Sequence, residues 1–228
     1  MIKILYEDNH LLVVEKPVNI PVMEDESHDK DLLTYLKEDL KIRYNKPGNV
    51  YLGLVHRLDR PVGGVMVFAK TSKAASRLMK QMQSHQFEKV YHAIVCGNAK
   101  KEDTLSDYLF KNRKTNTVTV SNQQNKEAKY AELSYQCLAK KQDLSYVEVH
   151  LKTGRSHQIR VQFSSRNMPL WGDQRYNKQA KVKQQIALWA VSLSIEHPIT
   201  KEKMTFTSMP PMSAPWNIFI KEEKNASC

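Results

Sequence analysis

The alternation of apolar and polar residues predicts a chain built mostly from β-strands. Residues 2–15 alternate around a break at Asp8–His10, which predicts a hairpin whose second strand is Leu11–Val14. Val65–Ala69 is apolar at every position, which is typical of a central strand buried on both faces. The remaining predicted strands are Glu88–Gly97, Leu105–Phe110, Thr117–Val120, Ala131–Cys137, Val147–Leu151 and Ala187–Ile195.

Helical periodicity predicts three helices, over residues 31–44, over residues 72–85 and from Arg155 onwards. Ser72 is the expected N-cap of the second helix. Hairpins, including one around Lys140–Asp143, outnumber strand–helix–strand units, which favours an α+β fold with a mixed, largely antiparallel sheet. The positions expected to be buried in the helices are Leu32, Leu36, Leu40, Tyr44, Ala75, Leu78, Met79, Met82, Ile159 and Phe163.

Length and charge narrow the class of protein. The chain has 228 residues, which suits one large domain or two tightly packed halves. It contains 35 Lys and Arg residues against 24 Asp and Glu residues, a formal net charge of +11. This excess indicates a polyanionic partner, with RNA or DNA ahead of an acidic membrane. A generally basic protein with no such partner is the alternative.

Several features predict a cytoplasmic protein without a metal. Three scattered cysteines and eight histidines without ligand-like spacing predict neither a disulfide framework nor a metal site. Glu7 and Asp8 lie where a signal peptide has its apolar core, and no apolar run is long enough to cross a bilayer. The tail, Lys221–Cys228, is expected to be frayed.

The first candidate for chemistry is Asp59, which lies between Arg57 and Arg60 in the run His56–Gly64. Pro61 and the two glycines that end this run predict a tight turn that leads into the buried strand. A carboxylate held there, close to a low-dielectric interior and to positive charge, has the properties of an ionised nucleophile. A structural ion pair or a turn-capping side chain is the alternative.

His56-Arg57-Leu58-Asp59, followed by Gly63-Gly64 and an apolar strand, resembles the catalytic motif of the RluA-type pseudouridine synthases. Two later segments, Lys89–Ala93 and Leu151–Arg160, are similar to further motifs of that family. The three segments occur in the family's order, and the resemblance covers about residues 11–210. Four positions depart from the usual pattern: Gly63 replaces a serine, Trp189 replaces a histidine, Asn19 replaces a glycine and Gln162 replaces a histidine.

The resemblance implies the fold and the reaction. It implies a pseudouridine synthase catalytic fold, with the sheet in two halves, flanking helices and a central cleft. Residues 1–228 would form a single catalytic domain without a separate N-terminal RNA-binding domain. The enzyme would flip a uridine out of a ribosomal or transfer RNA and isomerise it to pseudouridine, without a cofactor. A monomer is the default expectation.

The resemblance also implies roles for individual residues. Asp59 would be the nucleophile, Arg155 would pair with it, and Tyr91 would stack on the uracil. Arg57 would fill the space that the flipped base leaves. A core aromatic is the alternative for Tyr91, and a solvated lysine is the alternative for Lys16. The other expected RNA contacts are Arg60, His157, Arg160 and Lys16.

Two other functions are compatible with the sequence. One is a non-catalytic RNA-binding protein on the same fold, although Asp59, Arg155 and Tyr91 are all present. The other is a hydrolase with an Asp nucleophile, such as a glycosidase. That class needs a second carboxylate as acid and base, and none stands out beside the motifs.

Overall fold

The structure is a computed structural model that describes residues 2–219, so the tail predicted to fray lies outside it. Within those residues the chain is an α+β protein, as predicted, with eleven strands, three α-helices and one 3-10 helix, Trp216–Ile218. The strands are β1 (Lys3–Glu7), β2 (Leu11–Lys16), β3 (Gly53–Leu54), β4 (Gly63–Ala69), β5 (Glu88–Cys96), β6 (Glu102–Asn112), β7 (Thr117–Ser121), β8 (Lys129–Lys141), β9 (Leu144–Leu151), β10 (Leu188–Glu196) and β11 (Lys203–Thr207). The helices are α1 (Leu32–Arg43), α2 (Ser72–Gln83) and α3 (Gln158–Ser164).

The chain divides into two compact units. The first unit contains the residues up to Val90 together with Trp189–Met209, and the second contains Tyr91–Leu188 together with the residues from Pro210. β5 and β10 each contribute residues to both units. The single catalytic domain over residues 1–228 and its central cleft stay predictions.

The first unit has the strand order β1-β2-β4-β10, with β11 paired to β10 and β3 paired to β4. β10 runs parallel to β4, and the β1–β2, β2–β4, β3–β4 and β10–β11 pairs are antiparallel. All seven residues of β4 are buried, which confirms the predicted central strand. The predicted β1–β2 hairpin is also present, and Asp8 Oδ1 accepts hydrogen bonds from the His10 and Leu11 amides, both at 2.7 Å.

Side-chain caps fix where the first two helices begin. Asp31 precedes α1, and its carboxylate accepts a 3.0 Å hydrogen bond from the Thr34 amide. Thr71 caps α2 by accepting a 3.2 Å hydrogen bond from the Ala74 amide, so the predicted N-cap, Ser72, is instead the first helical residue. Each cap satisfies an amide that has no partner inside the helix.

Two residues that the helical periodicity predicts to be buried are exposed. Tyr44 is 50% exposed and Met79 is 43% exposed. Tyr44 follows α1, and its hydroxyl donates to Glu7 at the protein surface. Gln81 is buried in α2 instead, because its amide group bonds both the backbone nitrogen and the backbone oxygen of Glu196. The hydrophobic period alone does not reveal this polar contact.

The second unit has the strand order β5-β9-β8-β6-β7, in which the β6–β7, β6–β8 and β8–β9 pairs are antiparallel. The predicted hairpin between β8 and β9 is confirmed, and its turn contains Gln142 in the left-handed conformation at φ 54°. Leu109, Val118 and Ala131 from these strands pack with Val161 of α3 in a small apolar core.

α3 starts at Gln158, three residues later than predicted. The Gln158 side chain accepts hydrogen bonds from the Thr153 hydroxyl at 2.8 Å and from the Arg155 amide at 3.0 Å. His157 adopts the left-handed conformation at φ 51°, which is incompatible with a continuing helix. Arg155 therefore lies in a turn before the helix and not at its first position.

The two glycines at the start of β4 are required by the approach of β10. In the parallel pairing, Gly63 is opposite Trp189 and Gly64 is opposite Ala190. A Cβ atom on Gly63 would lie 2.2 Å from Trp189 Cζ3, and one on Gly64 would lie 2.2 Å from the Ala190 carbonyl oxygen. Gly64 also has φ +119°, which strongly favours glycine. Gly63 and Trp189, two of the positions that depart from the family pattern, are therefore in contact with each other.

We expect Gly63→Ser to lower the free energy of unfolding by about 1–3 kcal/mol, because the added side chain overlaps the Trp189 ring. Adding Trp189→His, which gives a smaller ring, should recover part of the loss. Gly48→Ser is the control, because a Cβ atom there meets nothing within 4 Å. Urea denaturation followed by circular dichroism measures wild type, Gly63→Ser, Trp189→His, the double variant and Gly48→Ser. Purely additive effects of the two substitutions would contradict the proposed contact.

Candidate active site

Asp59 lies in the connection between β3 and β4 in the first unit. The Val62 amide donates to the Asp59 carbonyl oxygen at 2.9 Å, which closes a tight turn over residues 59–62. Leu58 is buried beneath the turn, and Asp59 is half-buried. The predicted turn before the central strand is thus present, and it holds the carboxylate on a fixed backbone.

Lys16, the last residue of β2, is fully buried and holds this turn from inside. Its Nζ donates to the carbonyl oxygens of Pro17, Arg60 and Val62 at 2.9, 3.0 and 2.8 Å. The Asn19 amide also donates to the Arg60 carbonyl oxygen, at 2.9 Å. The expectation that Lys16 contacts RNA is therefore wrong, because its ammonium group is enclosed by protein, and the solvated-lysine alternative is wrong for the same reason.

The charge of Lys16 is set by two opposing effects. Three carbonyl acceptors match the three N–H groups of an ammonium. Burial, however, lowers the pKa of Lys16 to about 7, and the nearby negative charge of Asp59 acts in the opposite direction. The side chain that positions the turn is therefore itself sensitive to pH near neutrality.

His56, the first residue of the motif, is a structural anchor. Its Nε2 accepts a 3.1 Å hydrogen bond from the Val67 amide of β4, and its ring packs edge-on against Phe87. Burial lowers the pKa of His56 to about 3, and the positive charge of Lys89 contributes in the same direction. The ring is thus neutral at pH 7, as an acceptor of a backbone N–H must be.

The two arginines that flank the nucleophile candidate point to different partners. Arg57 is exposed, and its Nη1 lies 3.7 Å from the Met23 sulfur. Arg60 donates from Nε to the Asn19 carbonyl oxygen at 3.2 Å and from Nη1 to the Ser27 hydroxyl at 2.8 Å. Both guanidinium groups reach the surface, so their predicted roles as RNA contacts stay predictions.

In the second unit, Tyr91 lies in β5 and is 8% exposed. The next residue, His92, joins β5 to β9: its Nδ1 is 2.5 Å from the Tyr146 hydroxyl, and its Nε2 is 3.3 Å from a Glu148 oxygen. Burial lowers the pKa of His92 and raises the pKa of Tyr146 to about 12. These contacts fix the strand that carries Tyr91, whose predicted contact with the base stays a prediction.

Arg155 is exposed in the turn before α3. Its Nε donates to the Tyr130 carbonyl oxygen at 2.8 Å, and its backbone amide is held by Gln158. Gln158 also donates from Nε2 to the Glu132 carbonyl oxygen at 3.0 Å. Gln158 is thus a positioning residue that the sequence analysis missed, although it lies within the Leu151–Arg160 segment.

Arg160 is buried and forms a two-pronged ion pair with the fully buried Asp173. The distances are 2.8 Å from Nε and 2.7 Å from Nη2 to the two carboxylate oxygens. The expectation that Arg160 contacts RNA is corrected by this placement, because its guanidinium is enclosed and bonded within the unit. Asp173 also accepts from the Arg175 and Tyr176 amides, so it organises the loop that follows.

His157 is half-buried beside Tyr176. Its Nδ1 lies 2.7 Å from the Tyr176 hydroxyl, which also accepts a 2.9 Å hydrogen bond from the Val118 amide of β7. The role of His157 as an RNA contact stays a prediction. Tyr176 was not singled out as a site residue from the sequence.

No helix in residues 2–219 is long and apolar enough to span a membrane. Among the same residues, no group of three or more His, Cys, Asp and Glu side chains is arranged to hold a metal ion.

Comparison with known proteins identifies the family. A family model described as RNA pseudouridylate synthase matches residues 10–165, which include Asp59, Tyr91 and Arg155. The chain belongs to this family. A ribosomal large subunit pseudouridine synthase D from Pseudomonas aeruginosa is 30% identical over 99% of this chain and 73% of its own length. A tRNA pseudouridine synthase C from Vibrio cholerae is 30% identical over 90% of this chain and 89% of its own length.

Solved structures agree on the fold. The human RNA pseudouridylate synthase domain containing 4 superposes with a TM-score of 0.77 at 22% identity, covering 92% of this chain and 88% of that one. The predicted RluA-type membership is confirmed by the ribosomal large subunit relatives, and the predicted pseudouridine synthase fold is confirmed by this superposition.

Lys16→Met keeps the length of the side chain but leaves the Pro17 and Val62 carbonyls without this donor. We expect the free energy of unfolding to fall by about 2–4 kcal/mol at high pH. Between pH 7 and about 10 the unfolded chain binds a proton at Lys16 that the folded chain has lost, so the contribution of Lys16 to stability rises with pH. Below pH 7 both states carry the proton and the contribution stays at its minimum.

Urea denaturation of wild type and Lys16→Met at several pH values measures this difference. The free energy of unfolding of wild type, relative to that of Lys16→Met, should rise from pH 7 towards about pH 10. Lys73→Met, at an exposed lysine of α2, is the control and should show no such trend. A gap that narrows with rising pH would show that the buried lysine does not act as described.

Proposed function

We propose that this RNA pseudouridine synthase isomerises uridine in a structured ribosomal or transfer RNA, with Asp59 as the nucleophile. The observation that carries the proposal is the match of residues 10–165 to the family, with Asp59 held on a clamped turn within it. The relatives named above are ribosomal and transfer RNA enzymes by name, which supports both classes of substrate. We place this reaction in the cytoplasm and assign it to a monomer.

The reaction needs few groups. The carboxylate of Asp59 attacks either the anomeric carbon C1′ of the ribose or the uracil ring, and the glycosidic bond from C1′ to N1 breaks. The base turns and C5 bonds to C1′, while the bond from Asp59 to the ribose or to the ring breaks and restores the carboxylate. C5 then loses its proton, and N1 ends protonated. Atoms and electrons balance within the nucleotide, so the reaction consumes neither an oxidant nor a group donor.

We assign the other roles as follows. The guanidinium of Arg155 pairs with the carboxylate of Asp59 and directs it towards the substrate. Tyr91 stacks on the uracil and assists removal of the C5 proton. Arg57 occupies the space that the flipped base leaves, and Arg60 and His157 contact the RNA backbone. The exposure of Arg57 and Arg155 supports these assignments.

Asp59→Asn should lower the rate of pseudouridine formation by at least about 10,000-fold, because an amide cannot act as the nucleophile. Its affinity for RNA should stay within about threefold of wild type. Release of tritium from RNA labelled at C5 of uridine measures the rate, and Asp143→Asn, an exposed aspartate, is the control. A wild-type chain that binds RNA but releases no tritium would favour the non-catalytic alternative.

Arg155→Ala should slow a saturated single turnover by about 100-fold while changing the affinity for RNA little, because the lost interaction acts on the reacting carboxylate. Arg155→Lys should recover part of the rate, since it restores the charge but not the planar fork. Arg113→Ala, in the exposed β6–β7 turn, is the control. A purely weaker affinity with an unchanged single-turnover rate would place Arg155 among the RNA contacts instead.

A further inference from the structure

An acidic segment lies beside the Asp59 turn in an otherwise basic chain. Glu24–Asp29 contains four acidic residues and no lysine or arginine, whereas the whole chain has a net charge of +11. The residues before the segment are fixed, because the Pro21 and Val22 carbonyl oxygens accept hydrogen bonds from the first two amides of α1. The acidic segment itself is exposed at every position.

The acidic segment is attached to the motif through Arg60. The guanidinium of Arg60 forms ion pairs with Asp29 and, at 3.8 Å, with Asp25, and it donates to the Ser27 hydroxyl at 2.8 Å. Asp25 in turn accepts a 3.0 Å hydrogen bond from the Ser27 amide, which shapes the segment as a turn around the guanidinium. Two carboxylates and a hydroxyl thus surround the cation next to Asp59 in sequence.

This arrangement resembles the way in which an arginine binds a phosphate. A guanidinium offers a planar fork of donors that carboxylate and phosphate oxygens both match. The ion pairs of Arg60 are exposed at the surface, with 39% of its side chain accessible, and exposed pairs stabilise a fold only weakly. An RNA phosphate can therefore replace the aspartates at Arg60 without a large loss of stability.

We propose that Asp25 and Asp29 determine specificity by competing with the RNA backbone for Arg60. The inference rests on the proposed RNA substrate. In the free protein the acidic segment occupies the guanidinium, and it repels phosphates that approach the Asp59 turn. RNA that offers only a backbone gains little from displacing the segment. RNA that also places a nucleotide at Asp59 gains enough contacts to displace it.

The test compares four proteins that each contain residues 1–228: wild type, Asp25→Asn/Asp29→Asn, Arg60→Ala, and the combination of all three substitutions. The probe is a short fluorescein-labelled oligouridylate, whose binding is measured by anisotropy over a range of salt concentrations. We expect the double asparagine variant to bind about three- to tenfold more tightly than wild type, with a salt slope steeper by about one. In the Arg60→Ala background the same two substitutions should tighten RNA binding by less than about twofold, which is also the gain expected of the control described next.

The control is Glu88→Gln/Glu202→Gln, which removes the same charge at two exposed residues of the first unit. Its gain should stay below about twofold. An equal gain in affinity in the control would overturn the proposal, and so would an undiminished gain in the Arg60→Ala background. Either result would show that the net charge of the protein alone determines the gain in affinity. Weaker binding by the double asparagine variant would also overturn it.

The result is separable from the proposed function. If none of the proteins binds the oligouridylate, the RNA-binding basis fails for both proposals. If tritium release is normal but the gain in affinity does not depend on Arg60, only the role of the acidic segment fails. Rate and affinity are measured on the same protein preparations, so the two failures are distinguished directly.

Discussion

The buried side chain of Lys16 is the constraint on which the candidate active site depends. It joins the end of β2 to the turn that carries Asp59 through hydrogen bonds to the carbonyl oxygens of Pro17, Arg60 and Val62. A hydrogen bond to a backbone carbonyl is independent of which side chains the turn carries. Lys16 thus fixes the path of the chain, and the sequence of the turn remains available for chemistry.

The sequence was sufficient for the parts of the fold that local patterns determine. The continuous apolar run of β4 predicted a strand that is buried at all seven positions. The alternating run before Lys140 predicted the β8–β9 hairpin. Asp59 could be singled out because proline and glycine mark its turn and a family motif surrounds it. Each of these features lies within a few neighbouring residues, where propensity and period are informative.

Contacts between distant residues account for the errors. A lysine or an arginine has the same appearance in a sequence whether it is exposed or buried with partners. Lys16 meets carbonyl groups 44 and 46 residues away, and Arg160 meets the carboxylate of Asp173. The first turn of α3 was placed too early for a similar reason. The amide group of Gln158 stabilises a non-helical turn there, and helical periodicity contains no signal for it.

The hydroxyl of Tyr176 has a mechanical consequence inside the second unit. One oxygen atom is bonded to the backbone of β7 and also to the imidazole at the end of the Arg155 turn. A load that pulls on the β6–β7 hairpin is therefore transmitted to that turn unless one of two hydrogen bonds breaks. We therefore expect β7 and the Arg155 turn to move together, because the Tyr176 hydroxyl is hydrogen-bonded to both.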